Sequence, residues 1–219
     1  MTDISHIAGL IIGGVYPSCV EYADIITTTT HKTLRGPRGA MIMVTKKGLK
    51  FDPELGNKIS KSVFPGMQGG PHLNTIAAIG VCLKEASSLS FKKYAKQIIL
   101  NTKALALELK KLGYILVGDV ESHLILIDLR NISIDGMTAA LALEEAGIII
   151  NKNKIPGDMG SAIKPSGIRL GTPFLTSEGM KEKEMKKIAL LIDLVLKNHK
   201  NKQKLKLIKK EVLNLTYRF

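Results

Sequence analysis

The sequence predicts an α/β fold in which a small sheet with covering helices is followed by a compact α+β unit. Two observations support this order. Threonine-rich and apolar strand patterns come before a long helical stretch at residues 74–112, and a strand, strand, helix, strand order follows from Tyr114. We place the boundary near the long helices, which gives one domain over residues 1–86 and a second over residues 87–219.

The first part of the chain contains two predicted strands. The β-branched threonines of residues 23–30 favour an extended backbone, and the uninterrupted apolar run at residues 40–45 predicts a strand buried on both faces. Before them, residues 7–14 predict a short buried helix that ends at a glycine pair. Residues 50–61 mix proline, glycine, asparagine and charged side chains, so we expect an exposed connection there.

Helical periodicity organises the middle of the chain. Apolar residues recur at helical spacing over residues 74–87 and 91–112, and Gly113 is well suited to end the second helix. Short strands are then predicted over residues 114–117 and 122–129.

The last part of the chain alternates strands and helices. Asp135 is placed to cap a helix over residues 137–146. Strands are predicted over residues 148–151 and 168–171, and a helix from Ser177 to about residue 196. Between these strands, residues 152–167 contain several glycine and proline breakers and predict a long loop, which in a compact domain is commonly functional.

Composition limits the class of protein. The 219 residues are 45% hydrophobic and 23% charged, which is typical of a soluble globular protein. No apolar run reaches the roughly 18 residues of a membrane span, and the N-terminus lacks the basic region of a secretory signal. We therefore expect a cytoplasmic protein. Cys19 and Cys82 have neither metal-ligand nor redox spacing, so we predict free buried thiols and no metal site.

Positive charge is concentrated near the C-terminus. The net charge is +13, and many of the lysines lie between residues 181 and 210. Such an excess attracts polyanions. However, this run contains little arginine, and the chain has no tryptophan for stacking on bases. A solvated helix face is therefore the preferred interpretation, and nucleic-acid binding is the alternative.

Lys32 is the first candidate catalytic residue. It follows the threonine-rich strand and precedes the turn Gly36-Pro37-Arg38-Gly39, so we expect it on a loop at a strand end. Ligands commonly bind at strand ends in α/β sheets, and a lysine that loses its charge there attacks carbonyl carbons to form a Schiff base. The alternative is a solvated lysine on a basic turn, the usual state of a surface lysine.

Residues 27–39, with the sequence TTTTHKTLRGPRG, closely resemble the cofactor-lysine segment of the serine hydroxymethyltransferases. Only Ala40 departs, where that family usually has a second glycine. The resemblance covers almost all of the chain. It implies the C-terminal part of the large domain, plus the small α+β domain, of a pyridoxal-phosphate enzyme of the aspartate-aminotransferase type (fold type I). It also implies a reaction in which the hydroxymethyl group of serine is transferred to tetrahydrofolate and glycine is formed.

The resemblance implies cofactor contacts for residues near the N-terminus and around Lys32. Asp3 matches the aspartate that pairs with the pyridinium nitrogen, and His6 matches the histidine that contacts the ring hydroxyl. His31 would position donors or exchange protons beside Lys32, and Thr30 would contact the cofactor. The structural alternatives are a helix cap for Asp3 and a satisfied polar core residue for His31.

Two further segments carry the resemblance. Gly69 and Gly70 match the glycine pair of a QGGP segment whose backbone reaches the cofactor phosphate of a neighbouring subunit, so a homodimer or homotetramer is implied. Arg169 matches the arginine of an SGIRxGTP segment that binds the substrate carboxylate, for which two parallel hydrogen bonds are suited. A structural ion pair is the alternative for Arg169. We expect His72 to start a helix.

Folate contacts are implied by a third segment. Asn153 matches the second asparagine of the family's NKN turn, which contacts the pterin, and Ser161 is a further substrate-binding candidate. Downstream, residues 156–159 and 161–163 depart from the family's PNDP and SPF sequences. These departures keep open a folate-independent aldol cleavage of 3-hydroxy amino acids.

The resemblance covers only about the C-terminal half of the family's length. Asp3 should follow a buried strand, but Met1-Thr2 is shorter than the usual five or six residues, so we expect its carboxylate to lack a fixing element. A binding site of which the chain supplies only part of the lining residues is poorly preorganised. We therefore expect the isolated chain to bind pyridoxal phosphate weakly and to need a complementing N-terminal half. A non-enzymatic RNA-binding protein is the alternative from another class.

Overall fold

The computed structural model describes residues 1–219. The chain divides into two compact units, Met1–Lys96 and Gln97–Phe219, and the division falls inside a long helix. Helices and sheets are mixed throughout, which confirms the predicted α/β class. None of the helices combines the length and the apolar character that crossing a bilayer would require.

The first unit is built on a three-stranded sheet with the order β1-β2-β3. The first pair of strands is parallel and the second pair is antiparallel. Its elements in chain order are β1 (Thr2–Asp3), α1 (Ala8–Ile12), β2 (Ile25–Thr29), β3 (Ala40–Val44), α2 (Lys46–Phe51), α3 (Leu55–Val63), α4 (Leu73–Ala86) and the start of α5 (Leu89–Lys111).

Two predictions about the first unit are wrong. The strand β3 is not buried on both faces, because Ile42 and Met43 are 48% and 37% exposed. The expected connection at residues 50–61 instead contains the end of α2 and most of α3. Asp52 accepts hydrogen bonds from the Glu54 N–H at 3.0 Å and from the Lys58 ammonium group at 2.6 Å, so the polar side chains of this segment support the start of α3.

The second unit contains a four-stranded antiparallel sheet with the order β4-β5-β7-β6. One hydrophobic core joins the sheet to the helices, and its fully buried members include Ile127, Leu143, Ile168 and Leu196. The elements are the rest of α5, β4 (Ile115–Leu116), β5 (Leu124–Asp128), α6 (Gly136–Glu145), β6 (Asn151–Asn153), β7 (Gly167–Gly171), α7 (Pro173–Ser177), α8 (Glu182–Lys197) and α9 (Lys202–Thr216).

Local signals in the second unit are mostly confirmed. Asp135 caps α6 by accepting the N–H groups of Met137 and Thr138, both at 2.9 Å. Gly113, with φ of 91°, follows the end of α5. Ser177 is different from its prediction, since it ends α7 instead of starting a helix.

The start of α8 and the position of β6 also differ from the sequence prediction. The long helix begins after Lys181, whose N–H donates a 2.9 Å hydrogen bond to the Glu184 carboxylate. The strand β6 covers Asn151–Asn153 and pairs with β7. The polar segment expected to form a turn is therefore the strand, and the apolar residues 148–150 before it are not part of the sheet.

Candidate active site

Asp3 is the first residue of the candidate site along the chain and lies on β1 of the first unit. Its carboxylate accepts hydrogen bonds from the Thr27 hydroxyl at 2.7 Å and from the N–H and hydroxyl of Ser5 at 3.1 and 3.0 Å. The Thr27 bond, followed by the two Ser5 bonds, lowers the pKa of Asp3 below its ordinary value, and the charge of Lys32 acts in the same direction. Asp3 is therefore held as a carboxylate.

The expectation that Asp3 lacks a fixing element is wrong. Thr2 and Asp3 pair in parallel with Ile26 and Thr27, and the N–H of the next residue, Ile4, donates a 2.9 Å hydrogen bond to the Thr27 carbonyl. Two residues suffice because the neighbouring strand β2 is already held by β3.

Lys32 lies on the loop that follows β2, as predicted. The side chain is half-buried, and no hydrogen bond or salt bridge occupies its ammonium group. Thr30, at the start of the loop, is hydrogen-bonded to residues at its end. Its carbonyl accepts the Gly36 N–H at 2.7 Å, and its hydroxyl donates to the Pro37 carbonyl at 2.6 Å. The Lys32 carbonyl accepts the Arg35 N–H at 3.0 Å. The backbone is thus fixed while the amine is unoccupied.

Thr30 holds the loop and is fully buried. Its hydroxyl proton and its backbone groups are used within the protein, so the structure gives Thr30 a structural function. A direct cofactor contact of Thr30 stays a prediction.

The far side of the lysine loop is packed against helices. Arg35 has φ of 61°, a left-handed conformation that is unusual for a residue other than glycine. Its guanidinium lies 4.1 Å from the centre of the Tyr94 ring and 5.8 Å from that of Phe91. At Gly36 a Cβ atom would come within 2.6 Å of the Cys82 sulfur, so this position requires glycine.

Two buried polar atoms beside Lys32 have no hydrogen-bond partner in the chain. They are Nδ1 of His31 and Oγ1 of Thr29. Buried polar atoms are normally paired, and unpaired ones mark places where a ligand or water completes the structure. His6 is half-buried, and its carbonyl accepts a 2.9 Å hydrogen bond from the Thr33 hydroxyl, which ties its segment to the lysine loop.

Gly69 and Gly70 lie in the exposed loop between α3 and α4. Together with Arg38, Gly39 and other residues they line a cavity of about 670 Å³. A Cβ atom built at either glycine would meet nothing within 4 Å. Packing within this chain therefore does not require glycine at these positions, whereas close approach of a ligand to the backbone would.

Arg169 lies in β7 of the second unit, paired with Leu126 of β5 and Asn151 of β6. The side chain is half-buried, and its Nη2 is 3.5 Å from the Asn151 Oδ1. None of the salt bridges involves Arg169, so the alternative of a structural ion pair is wrong. A half-buried guanidinium without a carboxylate partner is suited to bind an anion from outside the chain.

Asn153, the predicted pterin contact, ends β6, and Ser161, the further substrate-binding candidate, lies in the loop before β7. The Asn153 amide donates to the Lys154 carbonyl at 2.8 Å, and the exposed Ser161 hydroxyl accepts the Lys164 N–H at 3.1 Å. Both side chains are thus used locally in the chain as it stands, and their ligand contacts stay predictions.

Asp158 organises this loop. Its carboxylate accepts the N–H groups of Gly160 and Ser166 at 2.7 and 2.8 Å, the Ser166 hydroxyl at 2.7 Å and the Ile155 N–H at 3.4 Å. These bonds, with those from Ser166 the strongest, hold the pKa of Asp158 far below its ordinary value.

Comparison with known proteins identifies the family. The family model for serine hydroxymethyltransferase matches residues 1–192. The chain belongs to the serine hydroxymethyltransferase family. A cytosolic serine hydroxymethyltransferase of Aspergillus fumigatus is 49% identical over 205 residues, and the match covers 90% of this chain and 43% of the relative. The chain therefore spans less than half the length of this curated relative.

Within this member of the serine hydroxymethyltransferase family, sequence reasoning missed three residues that shape the site. Thr27 and Ser5 fix the Asp3 carboxylate, and Arg38 lines the cavity with the glycine pair. The Asp3-x-Ser5 spacing is a signal for the bond from the Ser5 N–H, because an aspartate carboxylate commonly accepts the backbone N–H two residues further on. Thr27 carries no such signal, since its bond depends on the register between β1 and β2.

Proposed function

We propose that this chain supplies the lysine and the acidic residue of a pyridoxal 5'-phosphate site that interconverts serine and glycine, with tetrahydrofolate as the one-carbon acceptor. The observation that carries the proposal is the state of Lys32. Lys32 is half-buried on a fixed loop, its amine has no partner within the chain, and its charge acts on the hydrogen-bonded carboxylate of Asp3.

The donor set around Lys32 fits the cofactor. Lys32 would attach it covalently, and Asp3 would keep its ring nitrogen protonated because this carboxylate stays ionised. The unpaired Nδ1 of His31 and Oγ1 of Thr29 would become satisfied by polar groups of the cofactor or substrate. When bound, pyridoxal phosphate supplies an electron sink for charge that develops at the substrate α-carbon.

The chain's own residues supply orientation and proton control. Thr27 and Ser5 hold the Asp3 carboxylate in one position, so its charge is present before any ligand arrives. Thr30 and Gly36 hold the backbone on both sides of Lys32. His31 follows β2 directly and would hold or move a proton at its Nδ1.

In the second unit, we propose that Arg169 binds the amino-acid carboxylate. Its guanidinium has no acidic partner, and Asn151 supports it from the neighbouring strand. Asn153 and Ser161 remain our candidates for contacts to folate and substrate. The assembly that we propose is a homo-oligomer, or a complex with the part of the protein that precedes this match in the relative, in the cytosol.

The proposal is tested by covalent trapping. The chain is incubated with pyridoxal phosphate, alone and co-expressed with the remaining segment of the Aspergillus relative, reduced with borohydride and mapped by mass spectrometry. We expect label on the Lys32 peptide and its loss in Lys32→Arg, with no change in the matched surface variant Lys92→Arg. Label spread over many lysines in both conditions would contradict the assignment.

A second measurement tests the reaction. Glycine formation from serine is followed in the co-expressed assembly with and without tetrahydrofolate. Dependence on tetrahydrofolate supports the proposal. Cleavage of 3-hydroxy amino acids at the same rate without it would instead identify a folate-independent aldol reaction.

A further inference from the structure

The strongest positive charge of the chain lies outside the candidate site. Residues 197–219 contain eight basic side chains and one acidic side chain, a net +7 out of +13 for the whole chain. The family model matches residues 1–192, so these residues lie beyond the matched part of the chain. They are Lys197, Lys200, Lys202, Lys204, Lys206, Lys209, Lys210 and Arg218, with Glu211 as the acidic one.

Most of these lysines are exposed and unpaired. All seven lysines of this segment are exposed, and only Lys197 forms a salt bridge, with Asp193 at 2.9 Å. The other six have no acidic partner among the salt bridges of the chain. A solvated lysine face normally carries acidic residues that balance its charge. This segment therefore has charge that nothing in the second unit neutralises.

The helix α9 presents four of these lysines on one side. Lys202, Lys206, Lys209 and Lys210 follow the i, i+4, i+7, i+8 pattern of one helix face, and their backbones span about 12 Å of helix axis. Another face of the helix is apolar and belongs to the core of the second unit, where its buried residues are Leu205, Ile208, Val212 and Leu215. The four lysines therefore form a row on a helix that the core holds in place, called here the α9 basic row.

We propose that the α9 basic row binds the phosphate backbone of a nucleic acid, without reading its sequence. Lysine is a flexible point charge that contacts phosphate without the bidentate geometry by which arginine reads guanine. On the sequence alone, the scarcity of arginine is an argument against a nucleic-acid site. Because lysine contacts phosphates, the absence of arginine from the row is an argument against recognition of bases only, and not against binding of phosphates. RNA and DNA share this chemistry, and the experiment distinguishes them.

A membrane surface fits the row less well. Basic helices that lie on bilayers bury an apolar face at the level of the headgroups. The apolar face of α9 is already packed into the protein core. Its two exposed leucines, Leu207 and Leu213, lie on different sides of the helix, so α9 has no continuous apolar face to insert. The α9 basic row would therefore be attracted to a membrane by charge alone. This favours a nucleic acid, which is bound through its phosphates, over a membrane as the ligand of the row.

The expected salt dependence follows from the number of contacts. Four phosphate contacts with a single strand predict a slope of about −2.8 in log K against log salt, or a loss of about 50-fold between about 50 and 200 mM salt. Replacing three of the lysines should leave a slope of about −0.7 and a loss of about threefold over the same range.

The test measures binding of the whole chain to a labelled, mixed-sequence RNA single strand and to duplex DNA by fluorescence anisotropy. The test variant is Lys206→Gln, Lys209→Gln and Lys210→Gln together. The control is Lys92→Gln, Lys93→Gln and Lys96→Gln, three exposed lysines of α5 that also have no salt bridge. Both variants lose the same charge, and circular dichroism checks their helix content.

Support requires a loss of affinity and of salt slope in the α9 variant that the α5 control does not show. The nucleic acid bound with the higher affinity at the same salt concentration identifies RNA or DNA. Equal losses in both variants would mean attraction by net charge alone and would overturn the proposal. No binding at about 150 mM salt, or lysine-dependent binding only to phosphatidylserine vesicles, would overturn it as well. None of these outcomes depends on the proposed enzyme activity.

Discussion

The Thr27 hydroxyl lies 2.7 Å from the Asp3 carboxylate, across the parallel pair of β1 and β2. This bond joins the shortest strand of the sheet to the strand that leads to Lys32. It is the first cause of the lowered pKa of Asp3, ahead of the two bonds from Ser5 and the charge of Lys32. A strand threonine thus favours the charged form of the residue expected to face the cofactor nitrogen.

Thr27→Val should raise the pKa of Asp3 toward its ordinary value of about 3.9, because the hydroxyl donor is lost. The measurement is an NMR pH titration of the Asp3 side-chain carboxyl carbon. Thr29→Val is the control, since the Thr29 hydroxyl has no partner and its loss should leave the pKa of Asp3 unchanged. Equal shifts in both variants would show that the strand, and not the bond, controls the carboxylate.

The same bond predicts a direction for stability against pH. The folded-state pKa of Asp3 lies below the unfolded value, so its stabilisation is complete above about pH 4 and is lost as the pH falls through the folded-state pKa. Thr27→Val should weaken this acid sensitivity in urea unfolding followed by circular dichroism. A wild-type chain that gains stability on acidification from neutral pH would contradict the assignment.

The fold was predictable where a local pattern decides it. The Asp135 cap and the Gly113 end of α5 depend on neighbouring residues, and both are confirmed. The exposure of β3 was not predictable, because an apolar strand pattern does not show whether another part of the chain packs against each face of the strand. The displacement of β6 has a similar cause: pairing with β7 selects the polar Asn151–Asn153 over the apolar residues before it.

Arg35 offers a test of how the Lys32 turn is held. Arg35→Gln removes the cation–π contact with Tyr94 but keeps the left-handed backbone, so the free energy of unfolding should fall by about 0.5–1 kcal/mol. Arg35→Gly loses the same contact, but relieves a backbone conformation that costs a non-glycine residue about 1–2 kcal/mol. It should therefore be less destabilised than Arg35→Gln in urea unfolding. The reverse order would show that the left-handed backbone at this position is not strained, and an unchanged free energy of unfolding in Arg35→Gln would show that the arginine contact does not hold the turn.

Asp158 should control the order of the loop before β7. Asp158→Asn places an amide N–H group against backbone donors, and hydrogen exchange of the Gly160 and Ser166 amides should accelerate on the order of tenfold. Asp119→Asn removes the same charge from an exposed aspartate without a hydrogen bond and should leave these rates unchanged. Exchange rates that are equal in the two variants would mean that the loop is ordered by its packing.

The residue types of the candidate site could be proposed from the sequence, but its supporting bonds could not. Lys32 and Arg169 stand in motifs that sequence comparison identifies, and the structure gives each an unoccupied charged group. The roles of Thr27 and Thr30 depend on strand register and loop closure, which join residues that the sequence does not mark as partners. Such contacts arise from the tertiary structure and cannot be predicted from local propensity.

Arg169→Lys should weaken serine binding in the assembled enzyme. Lysine keeps the charge but has a single ammonium, so one of the two hydrogen bonds expected to the substrate carboxylate is lost. A charge-assisted bond of this kind is worth about 1.5–3 kcal/mol, which predicts a rise in the KM for serine of roughly tenfold to a hundredfold. Arg130→Lys is the control, because that guanidinium is already bound to Asp128 at 2.7 Å. An unchanged KM for serine in Arg169→Lys, or an equal rise in the control, would place the carboxylate site elsewhere.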